Sequence, residues 1–226
     1  MESAQRPDQG QTPNPKRDAI LAAGRQLFLE HGYGAVTMDR IAKKANVSKR
    51  TVYSHFANKE SLFAGVMTAI CDLLGGRALP TEIPTGPPAE VLTEIGRTFV
   101  NLVTAPDGIA LFRIVVGESA RFPKLGAVFY ETGPARLVDC IASYLREQNR
   151  KGTLAVAEPE IAAMQFLDLA KSRFHLRLVL GIGEAPTDGE KARAVGCAVE
   201  LFLCLYAKKS GRTEKTSFAS SRDRTP

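Results

Sequence analysis

Between positions 40 and 59 the chain carries Arg40, Lys43, Lys44, Lys49, Arg50 and Lys59 with no acidic residue among them. A basic cluster of that density attracts a polyanion, and DNA is the commonest one. Charge runs are often no more than solvated helix faces, so the order of residue types around the charges has to decide. Other chemistries are poorly served. Gly117-Glu118-Ser119-Ala120-Arg121 lacks the second glycine and the preceding strand of a nucleophile elbow, and Gly181-Ile182-Gly183 lacks the third glycine of a dinucleotide loop. His31, His55 and His175 have no carboxylate or histidine at metal-ligand spacing. Cys71, Cys140, Cys197 and Cys204 form no CxxC pair and read as small buried side chains. The expectation is a protein that is not an enzyme and needs no cofactor or metal.

The basic cluster has to be held by something. Ile20, Ala23, Leu27, Phe28 and His31 recur at three- and four-residue spacing, which predicts a helix from about Lys16 to His31, ended by Gly32 and Gly34. Thr37 caps a second helix with Met38, Ile41, Ala42 and Ala45 inward, and Asn46 takes the left-handed position after it. Ser48 caps a short third helix through Ser54, with Val47, Val52 and Phe56 pointing back to the first two. Asn58 caps a fourth, which carries Leu62, Phe63, Val66, Met67 and Ile70 on to Gly75. Two helices joined by a short turn, the second polar outside, make a helix-turn-helix.

The stretch from Thr37 to Phe63, TMDRIAKKANVSKRTVYSHFANKESLF, resembles the DNA-binding domain of the TetR family of transcriptional regulators. The matching steps are Thr37, Val47-Ser48, Tyr53-Ser54-His55-Phe56 and Asn58-Lys59-Glu60-Ser61-Leu62, with Asn46 where glycine is usual and Arg50 where a small residue is frequent. Phe112 to Arg136 resembles the C-terminal domain of the AefR-like subgroup. The resemblance implies a repressor that binds double-stranded operator DNA as a homodimer and is released by a small apolar effector. It also implies roles. Thr37 and Ser48 serve phosphates from helix N-termini; Lys49, Arg50 and Thr51 read base edges; Tyr53 and His55 donate to phosphates; Lys59 clamps another.

The expected architecture is all-α: a disordered arm over 1–15, a DNA-binding domain over 16–60, a helical effector-binding and dimerisation domain over 61–208, and a basic tail over 209–226. Net charge follows this division, +3 over 1–76, −1 over 77–206 and +4 over 207–226. After the Pro-rich loop ALPTEIPTGPP, helices are expected over 90–103, 109–121, 124–131, 135–148 and 159–180, and a last one capped by Thr187 and Glu190. The last two have two apolar faces each. One face of each must meet a second subunit or a central core, and the Val199 and Phe202 face is taken as the one to test at the interface. Phe99, Val103, Phe112, Val116, Phe129 and Phe166, with Phe122 and Tyr144, are candidates to line a ligand cavity, and His175 could join them. A ligand-independent architectural DNA binder is the alternative, disfavoured because anchoring to DNA needs no neutral domain of this bulk. The longest uncharged stretches fall short of the roughly 18 residues of a membrane span, and the polar start has no signal-peptide core, so a cytoplasmic protein without membrane contact is expected.

Overall fold

A computed structural model describes residues 14–75 and 85–208, with backbone only for 71–75. The expected arm up to residue 13, most of the Pro-rich loop, the Cys71 side chain and the basic tail lie outside what is described. Among those described there are eleven α-helices and no strand, and the fold is all-α as expected.

Helix α1 (Pro15–His31) starts one residue earlier than its apolar stripe implies, because Pro15 suits the first turn and the Asn14 side chain accepts from Arg17 N. The caps of α2 (Met38–Lys44) and α3 (Lys49–His55) are Thr37 and Ser48, each accepting from the amide three residues on. Asn46 between them has φ 53°, the left-handed turn that asparagine tolerates. In α4 (Lys59–Gly75), Leu62 presses within 2.7 Å of where a side chain at Gly24 would begin, so only glycine lets α1 and α4 approach this closely.

Helices α5 (Pro88–Thr104), α6 (Pro106–Glu118), α7 (Pro123–Thr132) and α8 (Pro134–Lys151) each begin at a proline, whose missing N–H costs nothing in a first turn. The single helix expected over 159–180 is broken into α9 (Pro159–Lys171) and α10 (His175–Val179). At the break, Ser172 N and Phe174 N turn to carbonyls three residues back, and the Ser172 hydroxyl donates to Leu169 O. Burial of Phe174 rewards the bend. The last helix, α11 (Asp188–Tyr206), opens with the expected Thr187–Glu190 capping box.

Two apolar cores result. The first joins α1 to α4 with Leu111 and Val115 of α6 and Leu125 of α7, so it runs through residue 60, where the two domains were expected to part. The second is built from α5, α8, α9 and α11, with Leu154 and Val156 from the loop before α9. The exposed face of the last three helices is strongly apolar: Leu169, Leu176, Leu180, Leu201 and Leu205 are all exposed. Val199 and Phe202, expected at an interface, instead belong to the second core, because their stripe on α11 is the one that meets α5 and α9. Cys197 and Cys204 are exposed and Cys140 half-buried, against the expectation of buried thiols; on α11 they occupy positions turned away from the core stripe.

Candidate nucleic-acid interface and apolar cavity

Arg40, Lys43 and Lys44 on α2 and Lys49 and Arg50 on α3 are all exposed, and they gather the cluster's positive charge on the outside of the two short helices. Thr37, Ser48 and Tyr53 are exposed as well, while Thr51 and His55 are half-buried. Ser48 Oγ is 2.8 Å from the Thr51 hydroxyl and accepts from Thr51 N, so these two hydroxyls hold each other at the start of α3. Lys49 is paired with Asp39 of α2 at 2.8 Å. The pair is wet on both sides and worth little, so it leaves Lys49 easily drawn to a stronger anion. Arg50 makes no ion pair among the described residues and is free to extend.

Lys59 differs from the phosphate clamp that its position suggested. Its ammonium turns inward, donating to Tyr33 O at 2.9 Å and Val36 O at 3.0 Å. It also lies 4.2 Å from the centre of the Tyr33 ring and 5.5 Å from that of Phe122. Burial pushes its pKa down, opposed by the nearby carboxylates of Glu118 and Glu60. The lysine stem is long enough to reach two carbonyls of the loop after α1, adding to the single long bond, 3.4 Å, that Tyr33 O receives from Val36 N.

The same loop is held from its other side by Glu118, at the end of α6. Tyr33 N and Gly34 N both donate to this carboxylate, each at 2.6 Å. A side chain at Gly32 or Gly34 would begin 2.6 or 2.9 Å from the Glu118 oxygens, so the Gly-Tyr-Gly turn is shaped to the carboxylate. At the opposite end of α6, Asp107 pairs with Arg25 of α1. Helix α6 is thus fastened to the DNA-binding unit at both ends. Tyr33, packed against Phe28, Phe63 and Phe122 with its phenol pKa pushed up by burial, seats the turn in the first core. None of Arg25, Tyr33, Asp107 and Glu118 was singled out as a site residue from sequence. The two glycines around Tyr33 are the only local signal, and the partner stands 84 residues away from Gly34.

Between the two cores lies an apolar cavity in two adjoining parts that share much of their lining, of about 100 Å³ inside and about 230 Å³ towards the surface. Together they reach the lower end of the volumes that small-molecule sites occupy. Of the expected lining residues, Phe99, Val103, Phe112 and Phe129 border both parts. Four others do not. Val116 is 60% exposed, one turn beyond Phe112 where no side chain closes over it. Phe166 is buried against Phe202 in the second core, Tyr144 is buried there with its hydroxyl on Gly86 O, and Phe122 is committed to Tyr33. Spacing along a helix places these residues on an inward face without saying whether protein or space lies opposite. Met67 and Ile70 of α4 and Leu111 of α6 complete the inner part, so the helices that carry the DNA-binding unit form two of its walls. His175 borders both parts, 4.8 Å from Phe112 ring to ring and edge-on. Burial, and secondarily Lys171, keeps its pKa below the ordinary value.

Among the described residues no group of three or more metal-ligating side chains occurs, and no single helix is long and apolar enough to cross a membrane. Comparison with known proteins gives a consistent picture. Residues 20–66 match a family model for bacterial regulatory proteins of the tetR family, and residues 90–208 match one for the C-terminal domain of AefR-like transcriptional repressors. The solved structure of the flavonoid-responsive regulator FrrA is 35% identical, with 86% of this chain and 98% of that one covered at a TM-score of 0.70. A TetR transcriptional regulator from Agrobacterium tumefaciens is 27% identical, with 87% and 97% covered at 0.69. The HTH-type transcriptional regulator YhgD of Bacillus subtilis (strain 168) is 27% identical over 158 residues, 68% of this chain and 80% of YhgD.

Proposed function

This chain belongs to the TetR family of bacterial transcriptional regulators, proteins that bind operator DNA as dimers and are typically repressors; from that premise we propose that it is a repressor released from its operator by a flat, largely apolar molecule. The observation that carries the reading is the place of the cavity. Its walls include α4, whose first half packs on α1 and meets Phe56 at the end of α3, and α6, whose ends are fastened to α1 and to the loop after it. A ligand that fits only one arrangement of these helices shifts the DNA-binding equilibrium by its difference in affinity for the two arrangements, typically about 1–3 kcal/mol. The three phenylalanines of the lining, Phe99, Phe112 and Phe129, favour an aromatic body. The likeness to a flavonoid-responsive regulator points the same way.

Dimerisation follows from the exposed leucines of α9, α10 and α11, a patch that soluble monomers seldom leave open. Two copies joined there present two α3 helices to half-sites about one helical turn apart, or a multiple of it. On the DNA side, Lys49, Arg50 and Thr51 read bases, and Thr37, Ser48, Tyr53 and His55 hold phosphates. The test is a footprint on the DNA flanking the protein's own gene, repeated with Lys49→Ala and Arg50→Ala. A near-palindromic protected site is expected, with relaxed base preference at one position per half-site in each variant and about 1–3 kcal/mol lost at that base. Absence of any protected site, or variants that read the operator as the parent does, would refute it.

A further inference from the structure

We propose that His175 selects the ligand by accepting a hydrogen bond from a single hydroxyl carried on its flat aromatic body. The inference rests on the effector reading above and names what that reading leaves open, the polar group the ligand must bear. The inner part of the cavity is lined by aliphatic and aromatic side chains, and His175 is the one side chain among them able to hydrogen-bond. Its imidazole meets Phe112 edge-on, and no protein group among the described residues donates to or accepts from its ring nitrogens. An imidazole half-buried in an apolar wall without a polar partner is a costly arrangement unless something else completes it.

The chemistry of that partner is constrained. Burial favours the neutral imidazole, which offers one acceptor and one donor nitrogen. A hydroxyl meets either. A carboxylate needs more positive surroundings than are present: Lys171 lies 2.8 Å from Asp168 on the same helix, so the two together bring no net positive charge to the site. Arg113 of α6 is also committed, donating to Leu178 O and Val179 O. The outer part of the cavity, where Asp168, Lys171 and Tyr130 lie, stays open for the rest of the molecule. A hydroxylated aromatic therefore fits with its ring among Phe99, Phe112 and Phe129 and its hydroxyl on the His175 ring, whereas the same ring without the hydroxyl leaves the imidazole unpaired.

The experiment uses the full-length protein, a monohydroxylated flavone and flavone itself, with binding followed by titration calorimetry because the chain has no tryptophan. The parent protein is expected to bind the hydroxylated compound about five- to tenfold more tightly than flavone, the worth of one hydrogen bond. His175→Leu should abolish that preference while retaining flavone binding, and His175→Gln, which keeps an acceptor, should restore part of it. Equal affinities for the two compounds in the parent protein overturn the role of His175 and leave the cavity as an effector site. Failure to bind either compound at their solubility limit also overturns this inference, whereas the effector reading stands or falls separately on whether any cavity ligand changes operator affinity.

Discussion

Replacing Glu118 with Gln tests whether the far end of α6 holds the DNA-binding unit in place. In the parent, two partly buried backbone amides donate to one carboxylate at 2.6 Å each. Hydrogen bonds to a charged group contribute about 1.5–3 kcal/mol apiece. The carboxamide can accept from only one of the amides, as a neutral acceptor, and must turn an NH₂ towards the other. That leaves a donor facing a donor, so the expected loss is about 2–3 kcal/mol after allowing for partial exposure. Lys59 also loses a nearby negative charge. Urea denaturation at fixed protomer concentration is the assay, and the midpoint should fall by about 1 M. The variant should remain folded, since the loss is smaller than the stability of a typical domain. Because the fastening links the cavity wall to the turn after α1, operator affinity in the variant should also respond less to a cavity ligand. A midpoint within about 0.2 M of the parent's, corresponding to less than about 0.5 kcal/mol, would refute the reasoning.

Two further substitutions separate fold from function. Lys59→Met keeps the stem over Tyr33 but removes the ammonium's bonds to the Tyr33 and Val36 carbonyls, so it should cost about 1–3 kcal/mol in thermal or urea unfolding while the salt dependence of DNA binding stays as in the parent. A salt slope lower by about one unit would show instead that the ammonium swings out to a phosphate. Leu201→Glu combined with Leu205→Glu should give a folded monomer by light scattering and circular dichroism, because both leucines are exposed. Val199→Glu should unfold the protomer itself, since it places an unpaired carboxylate in the second core. A double variant that stays dimeric would move the interface elsewhere.

Much of this protein was legible along the chain. Thr37, Ser48, Asn58 and Thr187 cap their helices through contacts three residues away, and Asn46 takes its left-handed turn from local sterics. Helix starts at Pro123 and Pro134 follow equally local rules, whereas α5 and α6 begin two and three residues before their expected starts at 90 and 109, at prolines that suit a first turn just as well. The exposed basic face of α2 and α3 was readable because charge and helical period are properties of a short segment. What required the tertiary structure is whatever depends on a partner far away in sequence. Nothing near Lys59 tells that its ammonium turns in to Tyr33 and Val36, and nothing near Glu118 tells that it receives two amides from the other domain's turn. The break at Ser172 to Phe174 depended on what Phe174 could bury against. For Val116 and Phe166, periodicity names a face, but only packing decides whether that face meets solvent, protein or empty space. Local geometry thus determined the helices and the charged surface, while the cavity and its connection to the DNA-binding unit arose only when helices distant in the chain were brought together.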